Sequence, residues 1–360
     1  LRDNAKKQAV ITRDAIPLTS VDAHYMMTKD IGYIRLNKFS SVTYREFMEA
    51  LEPMTKAGLK SLVLDLRGNG GGILDQAVEI ADEFLEGDKL ITYTEGKHVD
   101  KQEYRCRRAG LFEKGKLIVL ADEGTASASE VLIGALQDWD RATIVGRRSF
   151  GKGLVQEQFD LSDKSALRLT IARYYTPIGR SIQRPYTNGK KAYADEVNNR
   201  YHEIESKFAD SVKNNTGKMF KTKGGKTVYE KGGIAPDYFI PVDTAAYSRN
   251  TAEIYDKEIV DRFVYNFFLQ NQAFLKTFKT PGDFINGFNV TDEQWKLFVG
   301  LAAKDSVNIS TASARERADL SVQIKSSIAR LLWRSEGFFE VMNREDEAIK
   351  RALEIIAAGN

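Results

Sequence analysis

The sequence predicts an α/β protein with right-handed crossovers, followed by an all-helical segment. Three observations carry this. From Gly32 to about Val145, short strand-like runs alternate with amphipathic stretches of helical period. Two of the runs, "SLVLDL" (Ser61–Leu66) and "KLIVLA" (Lys116–Ala121), are almost continuously apolar, as buried parallel strands are. From Thr251 onward the apolar positions recur at helical spacing.

The elements follow in order. "IGYIRLNKF" (Ile31–Phe39) alternates apolar and polar positions and reads as a strand. "TYREFMEALEPMTKAG" has helical spacing and stops at Gly58. The strand Ser61–Leu66 leads into the glycines of "RGNGGG" (Arg67–Gly72). A helix with Ile73, Ala77, Val78, Ala81 and Leu85 on one side comes next. The strand Lys116–Ala121 enters "ADEGTASASEVLIGALQDWD", whose Val131, Leu132, Ala135, Leu136 and Trp139 form one helical stripe. "ATIVG" (Ala142–Gly146) is a third buried strand. "LVQEQFDL" and "SALRLTIARYYTP", joined by the turn-prone "SDKS", predict a β-hairpin. Residues 188–224 are polar and read as an insertion, and Lys226–Pro241 returns to strand character. Ile254, Ile259, Phe263, Phe267 and Phe268 mark one helix; Leu320, Ile324, Ile328 and Leu332 mark another.

Composition narrows the function classes. The 360 residues are 42% hydrophobic and 29% charged, with a net charge of +3 spread among interspersed acids and bases. That gives no nucleic-acid footprint, and Arg105–Arg108 reads as a solvated turn. The single cysteine, Cys106, excludes an intrachain disulfide. His24, His98 and His202 are not spaced as metal ligands, which argues against a metal enzyme. No apolar run approaches the ~20 residues of a membrane helix. The charged opening "LRDNAKKQAVITRD" reads as a fragment, or as a mature chain with its front removed.

Three stretches carry possible chemistry. "RGNGGG" lacks a dinucleotide fingerprint, since Ile73 stands where a third glycine or alanine is needed, and no G-K-[ST] follows. It is a tight turn, or a close approach of backbone to a ligand. Ser127 with Glu130 reads as a capping box at a helix start. The local pattern favours the cap; Ser127 is a candidate nucleophile only if a base reaches it, because a free hydroxyl is protonated at neutral pH. No histidine lies in a suitable context. Lys152, between Gly151 and Gly153 and beside Phe150, is the alternative base, or else a solvated loop residue. Gln156 would orient its amine if the backbone curls; an ideal strand carries it too far.

Together, "DLRGNGGG", "GTASASE…GALQD" and "GRRSFGKGLVQ" resemble the signature blocks of the carboxyl-terminal processing peptidases, a Ser-Lys family that includes the tail-specific proteases. "ARYYTPIGRSIQ" and "GGIAPD" are similar to its later blocks, so the resemblance runs from about Ile11 to Val242. It implies a ClpP/crotonase-like core of repeated ββα units, with Ser127 as nucleophile, Lys152 as base and Gln156 in support. The oxyanion hole would come from the N–H of Ala128 and of Gly70 or Gly71. Ser129 becomes a supporting helix residue, and Asp138 has no catalytic role. No cofactor is implied. Substrates would be proteins or peptides bound through an unstructured C-terminal tail, in the periplasm or cell envelope, with any membrane anchor outside this sequence.

The chain departs from the family in one respect: of the PDZ domain most members carry, only the last strands are expected, in "AVITRDAIPL". The expected domains are a PDZ remnant (1–18), peptidase core (19–187), polar insertion (188–224), return strands (225–245) and helical C-terminal domain (246–360). Docking or homo-oligomerisation is the expected role of that last domain. A ligand-binding protein on the same fold, like the family's retinoid-binding relatives, and a crotonase-like acyl-CoA enzyme are the alternatives.

Overall fold

The structure, a computed structural model, describes residues 10–14, 18–186, 189–200, 217–230, 232–242 and 248–359. At its centre is a mixed six-stranded sheet in the order β1-β2-β3-β6-β7-β12. These strands are β1 (Val21–Met26), β2 (Ile31–Leu36), β3 (Ser61–Asp65), β6 (Lys116–Ala121), β7 (Thr143–Gly146) and β12 (Tyr238–Phe239). β1 runs antiparallel to β2, and the remaining pairs are parallel. The crossover helices are α1 (Thr43–Lys56), α2 (Leu74–Asp82) and α3 (Ala128–Asp138).

The apolar runs seen in the sequence are explained by burial on two faces. Leu62, Leu64, Leu117, Val119 and Ile144 point to α1–α3 and join Phe47, Leu51, Ile80, Leu132 and Leu136 in the main core. The alternate residues Val63, Ile118, Leu120 and Val145 point to the other face, where they meet Ala348, Ile349, Ala352 and Ile356. Side chains of successive strand residues face opposite ways, so a strand covered on both sides must be apolar throughout.

The cover on that second face is α11 (Glu347–Ala358), the last helix of the chain. Burying Ile349 and Ile356 there contributes about 1.5–3 kcal/mol each. Lys116 Nζ, at the start of β6, donates to the Ile356 carbonyl at 2.6 Å and ties down the far end of the helix.

A second, antiparallel sheet has the order β5-β4-β9-β8, built from β4 (Leu90–Glu95), β5 (Gln102–Arg105), β8 (Leu154–Asp160) and β9 (Ala166–Tyr175). The expected β8–β9 hairpin is present; β4 and β5 were not legible in the sequence pattern. Strict ββα repetition is not seen. Among the described residues the paired strands β1–β2 precede α1 and the β8–β9 hairpin precedes the helix Gly189–Arg200, while α2 follows β3 alone.

One expected boundary, 224/225, falls inside an element. α4 (Gly189–Arg200) lies in the polar insertion, but β10 (Lys218–Lys221) pairs with β11 (Thr227–Glu230), so residues 224 and 225 fall inside one hairpin. Residues 201–216 of the insertion lie outside the described residues. Of the expected PDZ remnant, residues 1–9 and 15–17 also lie outside them, and Val10–Asp14 and Leu18 are in no strand.

The C-terminal helices begin with α5 (Arg249–Asp256) and α6 (Ile259–Gln270). Glu258, at φ 52°, breaks what the sequence suggested was one helix. After the short α7 (Gln272–Leu275) and α8 (Pro281–Gly287) come α9 (Asp292–Lys304) and α10 (Ala314–Met342), the latter kinked at Trp333 and Arg334. They enclose their own core, with Ile254, Phe263, Phe284, Phe298, Leu320, Ile324 and Ile328 buried. α11 leaves that core and belongs to the sheet, so the expected helical domain over 246–360 is divided.

Candidate active site

The loops after β3 and β6 lie side by side because these strands are parallel neighbours, with Asp65 opposite Leu120. Both loops emerge at the carboxyl ends of their strands, where open α/β sheets place their sites. They are stitched together. Asp122 Oδ1 accepts from the N–H of Gly68 (2.8 Å), and Thr125 Oγ1 donates to the Leu66 carbonyl (2.9 Å). The Asn69 carbonyl accepts from Ala126 N (2.9 Å) and from the Ser129 hydroxyl (3.0 Å). Ser129 thus fastens the start of α3 to the glycine turn.

Ser127 is the residue before α3 and has φ 59° and ψ −116°. Such a conformation in a non-glycine residue costs about 1–3 kcal/mol and persists only when the surroundings impose it. Here its carbonyl accepts from Glu130 N (2.8 Å) and Val131 N (3.0 Å), and every residue of α3 behind it is buried. A sharp, strained strand-to-helix turn also exposes the nucleophilic serine of α/β-hydrolases. The Ser127 side chain is half-buried.

Glu130 does more than cap the helix. Its Oε2 accepts from Ser127 N (2.9 Å) and Lys152 N (2.8 Å); its Oε1 accepts from the Ser149 hydroxyl (2.6 Å) and Gly151 N (2.6 Å). The side chain is fully buried. Burial pushes its carboxyl above the usual range, while the four donors, Ser149 among them, favour the charged form. Sequence reasoning found one of these four bonds. The signal for the rest was an acid in the first turn of a helix, directly before the apolar run Val131–Leu136.

Lys152 is half-buried and just precedes β8. Its flanking glycines have separate reasons. Gly151 has φ 91°, and a Cβ there would meet Arg184 Cγ at 2.3 Å. At Gly153 a Cβ would lie 2.7 Å from Gln183 N, and its N–H donates to Gln183 Oε1 at 2.9 Å. Gln156 follows a β-bulge at Val155, is exposed, and makes no side-chain hydrogen bond among the described residues. The structure therefore brings Ser127 and Lys152 to one carboxylate and leaves Gln156 out of the cluster.

The two expected oxyanion glycines differ. Gly71 lies against Ser127, so that a Cβ would meet the Ala126 carbonyl at 2.5 Å and Ala128 N at 2.8 Å, but its N–H already donates to Asn69 Oδ1 at 2.9 Å. The N–H of Gly70 has no hydrogen-bond partner among the described residues. Ala128, as the first residue of α3, has no intrahelical acceptor. Asp138 is far along α3 in a buried ion pair with Arg180.

Residues 30–191 match the model of peptidase family S41, and residues 251–334 match that of a family of unknown function. The chain is similar to a carboxy-terminal-processing protease of Bartonella bacilliformis, 43% identical over 48% of this chain and 40% of that protein. A carboxyl-terminal-processing protease of Synechocystis is 38% identical over 49% of this chain and 42% of its own length. A chloroplastic C-terminal processing peptidase of Tetradesmus obliquus is 40% identical over 43% of this chain and 33% of its own. Among solved structures, a photosystem II D1 C-terminal processing protease aligns with a TM-score of 0.45 and 28% identity, covering 64% of this chain and 51% of that one. The resemblance read from the sequence blocks is borne out over residues 30–191, which match peptidase family S41. The chain spans less than half the length of these three relatives.

Proposed function

We propose that this chain is a serine endopeptidase that cleaves protein substrates near their C-termini through a Ser-Lys acyl-enzyme mechanism. The observation that carries the reading is the strained Ser127 at the start of α3, with its N–H and that of Lys152 on one oxygen of Glu130.

In this mechanism Lys152 enters as the neutral amine and takes the Ser127 hydroxyl proton while Oγ bonds to the scissile carbonyl carbon. The carbonyl oxygen becomes an oxyanion held by the N–H groups of Ala128 and Gly70, helped by the amino end of α3. Collapse breaks the C–N bond, and the Lys152 ammonium gives its proton to the leaving amine. Water then attacks the acyl ester with Lys152 again as base, and Ser127 regains its proton. Gln156, exposed in the free protein, orients the amine once substrate covers it.

The same reading makes the core a relative of the ClpP/crotonase type and residues 1–18 the end of a PDZ domain that grips an unstructured substrate tail. It places the protein in the bacterial envelope or an equivalent lumen. Homo-oligomerisation would use the helices outside α11, because the apolar face of α11 is consumed by the sheet.

The test is single-turnover cleavage of an unstructured protein by wild type, Ser127→Ala and Lys152→Ala, each checked for folding. Both variants should lose at least about a thousandfold in rate. Cleavage by folded Ser127→Ala would remove the nucleophile assignment. A substrate with an amidated C-terminus, cut as well as the free acid, would count against tail selection.

A further inference from the structure

We infer that Asp346, the residue that caps α11, is a positioning residue for the glycine turn beside Ser127. Its consequence for turnover rests on the peptidase reading above; its geometry does not. Asp346 lies outside both segments that match known families.

The turn Gly68–Gly72 has little of its own to hold it. Four of its five residues are glycines, which lose the most conformational freedom on being fixed. It is therefore fixed by its anchors. On the far side these are Phe39, whose N–H donates to the Gly71 carbonyl (3.0 Å) and whose carbonyl accepts from Ile73 N (2.8 Å). In the middle, Asn69 Nδ2 donates to the Leu36 carbonyl at 3.0 Å. On the near side the anchors are Asp122, whose Oδ1 accepts from Gly68 N (2.8 Å), and Arg67, the residue that leads into the turn.

Arg67 is held at every polar point. Its N–H donates to Asp65 Oδ1 (2.9 Å), and its carbonyl accepts from Arg35 Nη2 (2.9 Å). Nε and Nη2 of its guanidinium grip the buried Asp65 carboxylate at 3.0 and 2.7 Å. The remaining nitrogen, Nη1, donates to Asp346 Oδ2 at 2.7 Å. Planar guanidinium forks are directional, so Asp346 restrains the guanidinium from a second side, and losing it leaves the Asp65 contacts as the sole side-chain hold on Arg67 among the described residues.

Asp346 divides its work between its two oxygens. Oδ2 takes Arg67, while Oδ1 accepts from Ala348 N (2.8 Å) and Ile349 N (3.1 Å) and caps α11. α11 is itself fixed under the sheet by its apolar face and by Lys116. The last helix of the chain thus supplies a rigid post for the loop that carries the oxyanion donor, and the two roles of Asp346 can be separated.

Asp346→Ser separates them, because serine still caps a helix but is too short to reach Arg67. The full chain carries Asp346→Ser or Asp346→Glu, with β-casein as the unstructured substrate. Amide hydrogen exchange is followed in residues 66–73 and in α11. For Asp346→Ser, kcat should fall about tenfold to a hundredfold with KM within about twofold, the cost of a displaced catalytic loop. Exchange in 66–73 should quicken while that in α11 holds, and Asp346→Glu, which keeps the charge, should recover most of kcat. Wild-type kcat in Asp346→Ser, or unchanged exchange in 66–73, would overturn the inference. Faster exchange confined to α11 would reduce Asp346 to a helix cap. If the wild type cleaves nothing, the peptidase reading fails, and the exchange measurement alone decides whether Asp346 holds the turn.

Discussion

Ser127 and Lys152, on different loops, donate their backbone N–H groups to the same atom, Oε2 of Glu130, at 2.9 and 2.8 Å. The helix cap and the clasp on the Lys152 loop are thus one structure. The carboxylate that satisfies an orphan N–H at the start of α3 also fixes the segment Ser149–Lys152 against it.

Glu130→Gln should be costly because an amide offers one oxygen and an NH2 group to four donors. Two donors would be left unpaired in a buried site, costing about 2–4 kcal/mol in total. Urea denaturation should register that loss, and on the peptidase proposal turnover by the protein that remains folded should fall at least about a hundredfold, since Ser127 and Lys152 both shift. Wild-type stability in Glu130→Gln would mean that the four bonds do not matter as drawn.

The glycine turn makes a paired prediction. Gly71 has φ 89° and no room for a Cβ, so Gly71→Ala should destabilise by about 1–3 kcal/mol and abolish cleavage. Gly70 has no atom within 4 Å of a built Cβ, and Gly70→Ala keeps the N–H. Thermal melts of the two variants should therefore diverge, with Gly70→Ala close to wild type.

Asp138 and Arg180 form a buried ion pair at the end of α3, with Arg180 2% and Asp138 0% exposed. Removing one partner strands the other charge, so Asp138→Ala should cost about 3–5 kcal/mol. Its kcat, measured on the folded fraction at low temperature, should stay within about twofold of wild type. A large drop in kcat there would give Asp138 a part in the reaction.

Asp65 sets an acid limit. Burial alone would raise its carboxyl, but the guanidiniums of Arg67 and Arg35, with their hydrogen bonds, outweigh burial and hold it well below the usual carboxylate range. A depressed carboxylate contributes stability that is fully present above its unfolded value of about 3.9 and fades as pH falls toward the folded one. Unfolding free energy should therefore drop steeply below about pH 4 in the wild type. In Asp65→Asn it should start lower and fall less steeply, which denaturation at a series of pH values would read.

By itself the sequence determined many of the local elements, though not β4 and β5, and the chemical candidates. Continuous apolar runs marked β3 and β6, helical stripes marked α1 and α3, and Ser127, Lys152 and the glycine turn stood out by residue type. These are legible because burial on one face or two imposes a period of its own on the chain. Tertiary structure decided the partners. Val63, Ile118 and Leu120 show that a second sheet face is covered, but a period cannot say that α11, from the far end of the chain, covers it. Likewise, a buried N–H must find an acceptor. That Gly71 finds Asn69, and that Ser127 and Lys152 share Glu130, depends on which strands become neighbours in the sheet.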